Sequence, residues 1–220
     1  MSSAISIVPS LIGKNWEKIK TKEYTKVYNP ASGEVISNTP MLNSTEVSKA
    51  IKSAKTAFPE WSKEPPTRRA NIMHNYRSLL KQNFNEIAEL ISTENGKTII
   101  EARGDIQRGF EVVEYACGIA EHQKGESLSQ VAENIDGITV REPIGVCAGI
   151  SPFNFPAMVP MWMFPIAIAC GNTFVLKPSE KVPLTAVRLV ELLQEAGLPD
   201  GVMNLVHGGK EVVDTLCTHP

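Results

Sequence analysis

Between Gly145 and Gly209 the chain alternates two kinds of segment, and that alternation restricts the fold more than any other feature of the sequence. GVCAGI, NTFVLK and MNLVHG are short, unbroken apolar runs, the pattern of strands buried on both faces. Between the first two lies AMVPMWMFPIAIA, apolar on nearly every side and read as a helix packed into the core. Between the second and third lies PLTAVRLVELLQEAG, an amphipathic helix closed by Gly197. Strand, helix, strand, helix, strand with short turns predicts an α/β fold with a parallel sheet flanked by helices, because parallel neighbours need a long crossover between them. Ligands of such sheets sit beyond the carboxyl ends of the strands, which here read SPFNFP, KPSEK and HGGKE.

Upstream, apolar residues recur at three and four. STEVSKAIKSAKTAFPEW starts at an N-cap candidate, Ser44 or Thr45, and places Val47, Ile51, Ala54 and Phe58 on one face. A second, longer helix is expected from near Thr67 to Gly96, and a third from roughly Ile99 to His122. The run ITVREPIGV alternates before Pro143 and reads as part of a β-hairpin, whose open edge invites pairing with another sheet. The expected divisions are a helical part over 1–123, a hairpin over 124–144, and the sheet unit over 145–220.

Composition narrows the partners. With 42% hydrophobic residues in 220, the chain can bury a sizeable core. Twenty-two Lys and Arg nearly balance 24 Asp and Glu, so no surface-wide field draws it to nucleic acid or to an acidic membrane, and small molecules are the expected ligands. Cys117, Cys147, Cys170 and Cys217 lie far apart, with neither a disulfide framework nor CxxC spacing, so no metal site is expected and a reducing compartment fits. The first residues show no signal-peptide or transit pattern and no run approaches about 18 apolar residues, so a cytoplasmic location is expected, or a mitochondrial matrix one if a leader has been removed.

No GxGxxG follows the first strand of the sheet unit; a proline-flanked Asn154 stands there instead. PFNFP, CGNTFVLKPSE, PLTA and EAGLPDGVMNLV, in that order, resemble the motifs of the aldehyde dehydrogenase superfamily, and NPASGE at 29–34 with ENGK at 94–97 agree. The resemblance covers nearly the whole chain. The wording of IGVCAGISPFNFPAMVPMWMFPIAIACGNTFVLKPSEK is most similar to the CoA-acylating methylmalonate-semialdehyde and malonate-semialdehyde branch. It implies a Rossmann-like fold with a protruding hairpin that serves oligomerisation, giving a dimer or tetramer. It also implies NAD as cofactor, CoA as co-substrate, and a semialdehyde acid oxidised to acetyl-CoA or propionyl-CoA.

The residues can be weighed against that implication. Oxidising an aldehyde through a thiohemiacetal places negative charge on the former carbonyl oxygen, and a side-chain amide can donate to it without titrating. Asn154 matches the family's oxyanion donor; the alternative is a turn residue satisfying its own loop. Lys177 can donate to ribose hydroxyls and Glu180 can accept from them, and a carboxylate there repels a 2′-phosphate, favouring NAD over NADP, a preference that Lys181 tempers. The alternative is a solvated loop pair. Ser151, Pro152, Phe153 and Ser179, with Gly208 and Gly209, match the family's other cofactor contacts, although Val213 replaces a glycine common in the latter loop. Arg108 stands about 200° around its helix from the apolar stripe of Ile106, Phe110, Val113 and Cys117. It is either a surface arginine paired with Glu111 or, as the resemblance implies, a bidentate clamp for the substrate carboxylate.

None of the four cysteines matches the family's nucleophile, which lies downstream of the segment similar to MNLVHG in a separate catalytic domain. All four are expected to be buried thiols with raised pKa. The chain therefore reads as the N-terminal part of such an enzyme, inactive by itself. The competing readings are a hydrolytic aldehyde dehydrogenase, in which water replaces CoA, and a non-catalytic nucleotide-binding module.

Overall fold

The structure, a computed structural model, describes residues 5–219. It opens with strands where the sequence pattern predicts only helices. β1 (Ser10–Ile12) and β2 (Asn15–Glu17) form a tight antiparallel pair, and β3 (Tyr24–Tyr28) and β4 (Val35–Pro40) form a hairpin across the NPASGE turn. β1 and β2 are three residues each, too short for an alternating pattern to register.

α1 (Ser44–Trp61) is capped by Asn43 rather than by Ser44 or Thr45. The Asn43 side chain accepts from the Thr45 amide at 2.8 Å, while Glu46 accepts from the Asn43 amide at 3.2 Å. The long second helix is two helices, α2 (Pro66–Gln82) and α3 (Phe84–Asn95), broken at Asn83. Asn83 turns both its backbone and its side-chain N–H back on Leu79 O, at 3.0 and 2.8 Å, and this closes α2. Gly96, at φ 81°, ends α3 as expected. α4 (Ile99–Cys117) and the single turn α5 (Ile119–His122) replace the third helix, with a break at Gly118.

Next comes a hairpin of β5 (Ser127–Ala132) and β6 (Ile135–Ile138), which stands off the body with Leu128, Val131, Ile135 and Ile138 exposed. Its strands lie ahead of ITVRE, of which only Ile138 belongs to a strand. The remaining elements are β7 (Val146–Ile150), α6 (Met158–Ala169), β8 (Thr173–Lys177), α7 (Leu184–Glu195), β9 (Met203–Leu205) and α8 (Lys210–Thr218).

Among the described residues the main sheet runs β2-β1-β9-β8-β7. β7, β8 and β9 are parallel, as the alternation requires, and β1 joins β9 antiparallel, so the sheet is mixed. Period-two alternation sends Phe174 and Leu176 to one face and Val175 to the other. The first pair packs with Phe164, Leu189 and Leu193, backed by Tyr76, Ile87 and Ile106 of the helical layer. Val175 packs with Val47, Ala50, Ala54 and Val212 of α1 and α8. β8, covered on both faces, is wholly buried. β7 is not: it has one strand neighbour, and Val146 and Ile150 are exposed, which corrects the expectation that GVCAGI is buried on both sides.

Candidate functional site

The parallel register aligns Ile150 with Lys177, so the loops after β7 and β8 start side by side. The Ser151 amide donates to Lys177 O at 3.0 Å and the Val206 amide to Leu176 O at 2.9 Å, extending the ladder to the edge of the crevice. Lys177 ends β8 with a side chain only 6% exposed, and its Nζ lies 3.2 Å from Glu180 Oε2. The two residues thus pair, but Lys177 is not the solvated partner of a surface loop. Burial pushes the Glu180 carboxyl up, yet its own backbone N–H together with Lys177 and Lys181 outweighs that and holds it below the usual carboxylate range. Thr39 Oγ1 fixes the same loop by donating to Glu180 O at 2.8 Å. Ser179 Oγ accepts from the Lys181 amide at 3.3 Å, and Lys181 Nζ lies 5.4 Å from the Phe153 ring centroid, which joins the β7 and β8 loops.

Gly208 and Gly209 lie between β9 and α8, at the strand end next to that of β8. Gly208 has φ +146°, and a Cβ there would come within 2.4 Å of Val212 Cγ2. Val213, which stands where the family pattern has glycine, lies in the first turn of α8. His207, just before, is fully buried and donates from Nε2 to Pro9 O at 2.9 Å, leaving Nδ1 without a partner. Burial lowers its pKa to about 4, so the ring is neutral at pH 7. Ser151 Oγ is also buried without a partner.

Pro152, Phe153 and Asn154 follow Ser151 in an exposed loop. The Asn154 side-chain amide has no hydrogen-bond partner among the described residues, so it is not spent on its own turn. One residue on, Phe155 forms a wall of a hollow of about 560 Å³ together with Lys97, Glu101, Asp105, Arg108, Met158 and Trp162. Arg108 is exposed at this hollow, and its helix is held close to α6 by Gly109, where a Cβ would come within 2.9 Å of Met161 Cβ. Glu111 does not pair with Arg108; it accepts from Gln107 Nε2 at 3.4 Å, and Arg108 has no ion pair among the described residues. Trp162 is 48% exposed, so α6 is not wholly core and lends Met158 and Trp162 to the hollow.

Several neighbours were not anticipated. Asp105, with its side chain fully buried, binds Lys97 Nζ at 2.7 Å and accepts from the Met158 amide at 2.7 Å. Glu94 is buried at the start of α7, accepting from the Leu184 and Thr185 amides at 2.8 and 2.7 Å, and burial lifts its pKa to about 7. Both carboxylates fall on buried stripes, Asp105 three residues after Ala102 and Glu94 three after Ile91. An acid on a core face must find donors, and that signal marks them in the sequence. Of the cysteines, Cys117, Cys147 and Cys170 are half-buried and burial pushes their thiols up, whereas Cys217 is exposed, against expectation. Among the described residues no cluster of His, Cys, Asp and Glu could hold a metal, and no helix is long and apolar enough to cross a membrane.

Comparison with known proteins gives this geometry a context. The model of the aldehyde dehydrogenase family matches residues 16–220. The chain is 50% identical over 210 residues to an acylating mitochondrial methylmalonate-semialdehyde dehydrogenase of Arabidopsis thaliana, covering 96% of this chain and 35% of that protein. It is 49% identical to malonate-semialdehyde dehydrogenase 1 of Geobacillus thermodenitrificans, covering 100% of this chain and 46% of that one. Among solved structures, a provisionally named methylmalonate-semialdehyde dehydrogenase of Sinorhizobium meliloti 1021, complexed with NAD, superposes with a TM-score of 0.95 at 44% identity, over 100% of this chain and 45% of that one. A methylmalonate-semialdehyde dehydrogenase of Oceanimonas doudoroffii gives 0.92 at 47% identity, over 96% of this chain and 43% of that one. The chain thus spans less than half the length of these relatives. On the match to the family model over residues 16–220, and on folds that superpose along their whole shared length, the chain belongs to the aldehyde dehydrogenase family.

Proposed function

We propose that this chain forms the cofactor-binding and carbonyl-polarising part of an NAD-dependent, CoA-acylating dehydrogenase of malonate or methylmalonate semialdehyde. The observation that carries the reading is the pairing of two uncommitted polar groups with one apolar hollow: Arg108 on its wall, and Asn154 on the loop beside it. A semialdehyde acid offers both groups a complement. Its carboxylate suits the planar guanidinium fork of Arg108, and charge developing on its carbonyl oxygen suits the Asn154 amide. Trp162, Phe155 and Met158 exclude water around the short carbon chain between them.

The strand ends suit a dinucleotide. Lys177 and Glu180 are a donor and an acceptor for the ribose hydroxyls, and the ionised Glu180 disfavours a 2′-phosphate. Ser151 Oγ, buried without a partner, fits a polar contact at the strand ends, Ser179 and Lys181 can add others, and Pro152 and Phe153 offer apolar surface on the facing loop. Gly208 and Gly209, which pack closely against Val212 and Met41, lead into the start of α8, whose free amides suit a pyrophosphate. When bound, NAD accepts hydride from the substrate carbon. The exposed apolar hairpin suits a homo-oligomeric contact in a dimer or tetramer, and a cytoplasmic or mitochondrial matrix location suits the free thiols.

The test is a spectrophotometric assay of the whole protein with malonate semialdehyde and NAD, with and without CoA. The expected result is NADH formation with acetyl-CoA as product, dependent on CoA for turnover. Turnover that ignores CoA and yields the free acid overturns the acylating assignment in favour of hydrolysis.

A further inference from the structure

The loop that carries Asn154 is exposed, yet its backbone and flanking rings are held from outside at three points. On one side the Asn95 Nδ2 amide donates to Phe153 O at 2.8 Å. On the other, Lys97 Nζ sits 4.1 Å from the centroid of the Phe155 ring. At the exit from the loop, Asp105 Oδ1 accepts from the Met158 amide at 2.7 Å, while its Oδ2 binds Lys97 Nζ at 2.7 Å. The three holders are coupled. Asn95 and Lys97 belong to the tight turn around Gly96 between α3 and α4, and Asp105 lies two turns into α4 with its side chain fully buried. Asn154 thus stands between two clamped neighbours, with its own side chain left free to point at a ligand.

We infer that Asn95, Lys97 and Asp105 form a positioning brace that fixes the backbone on either side of Asn154 and so aims its amide at the reacting carbonyl oxygen. None of the three needs to touch substrate. The physical case is geometric: an oxyanion donor works only if it is already in place when charge develops, and a donor on an exposed loop has no such guarantee unless its backbone is held. A carboxylate committed to one loop amide and one ammonium group fixes distance and direction at once. Lys97 neutralises that buried carboxylate and at the same time covers the face of Phe155.

This inference rests on the oxyanion role proposed for Asn154, and the experiment separates the two. In the whole protein, kcat and backbone amide exchange over residues 153–158 are measured for Asn154→Ala, Asp105→Asn, Asn95→Ala and the doubles Asp105→Asn/Asn154→Ala and Asn95→Ala/Asn154→Ala. Removing an oxyanion donor lowers kcat by about 10² to 10³-fold, so Asn154→Ala is expected to fall in that range. Asp105→Asn is expected to cost at least roughly 10-fold in kcat with little change in KM, to speed exchange of the loop amides, and to add less than about twofold once Asn154 is gone. Asn95→Ala, a change at a solvent-facing bond that leaves the buried ion pair intact, is expected to act the same way more weakly; it carries the test if Asp105→Asn does not fold. Losses that multiply in the doubles, or unchanged exchange and kcat in the single brace variants, overturn the brace. If Asn154→Ala leaves kcat intact, the oxyanion assignment falls, and exchange alone decides the brace: faster in the brace variants supports it, unchanged overturns it.

Discussion

Arg108 and His207 show how one side chain's surroundings set what it can do. Arg108 faces an apolar hollow with no acidic partner among the described residues, and a guanidinium in that position is worth most to a ligand that brings its own carboxylate. Replacing it with Leu is expected to raise KM for malonate semialdehyde by roughly 10 to 100-fold, the value of a charge-assisted hydrogen bond, and to leave propanal nearly unchanged. Steady-state kinetics on both aldehydes checks this, and equal effects on the two would remove the clamp. His207 is buried neutral, its pKa lowered from 6.5 to about 4. The stability it contributes is complete above pH 6.5 and is lost as pH falls towards 4, because only the unfolded chain readily takes the proton. Between those limits the whole protein is expected to lose roughly 3 kcal/mol relative to a His207→Gln variant, read from urea midpoints at each pH. Glu94 has the opposite sign. Its raised pKa of about 7 gives stability that is complete below pH 4.5 and is lost as pH rises through 7, so Glu94→Gln is expected to gain on the parent over that interval.

At the scale of elements, the meeting of α4 and α6 sets the distance between Arg108 and the wall formed by Met158 and Trp162. Gly109 permits that approach, since even a methyl group would lie 2.9 Å from Met161 Cβ. Gly109→Ala is therefore expected to cost about 1 to 3 kcal/mol of stability, seen as a lower urea midpoint at constant slope; an unchanged midpoint would mean the helices separate freely. The same scale explains what could be read in advance. The strands and helices from β7 to β9 were legible because each is a continuous apolar run or a helical stripe bounded by Gly or Pro. The break at Asn83 was not, since Leu79, Leu80, Phe84 and Ile87 keep helical spacing straight through it. β1 and β2 offered three residues each, below any usable period. Lys177 and Glu180 could be singled out because they stand at the end of a strand, where ligands of such sheets bind, and Asn154 because PFNFP resembles a family motif; position alone reads as a turn residue. Asp105 was marked only as an acid on a buried stripe; that Met158 and Trp162 face it could not be read, because their meeting depends on how α4 packs on α6, and the all-round apolarity of α6 hid which of its faces stays open.

As a whole, the molecule is a mixed sheet with helices on both faces, and two of its exposed apolar patches bear on the proposed function. One is the hairpin, where Leu128 and Ile138 are exposed on facing strands; Leu128→Asp with Ile138→Asp is expected to lower the oligomeric state in sedimentation velocity without unfolding the body. The other is the rim of the hollow and crevice, with Phe153, Phe155 and Trp162. That rim joins the strand-end loops to the Arg108 hollow, so cofactor and aldehyde would meet at the loop carrying Asn154. The proposed chemistry requires the strand ends to be a dinucleotide site. Calorimetric titration of the whole protein with NAD and NADP, repeated on Lys177→Ala and Glu180→Gln, tests this most directly. NAD is expected to bind more tightly than NADP, to lose at least about 10-fold in affinity in Lys177→Ala, and to lose much of its advantage over NADP in Glu180→Gln. An absence of NAD binding, or an affinity indifferent to both substitutions, would mean that the strand ends are not the dinucleotide site.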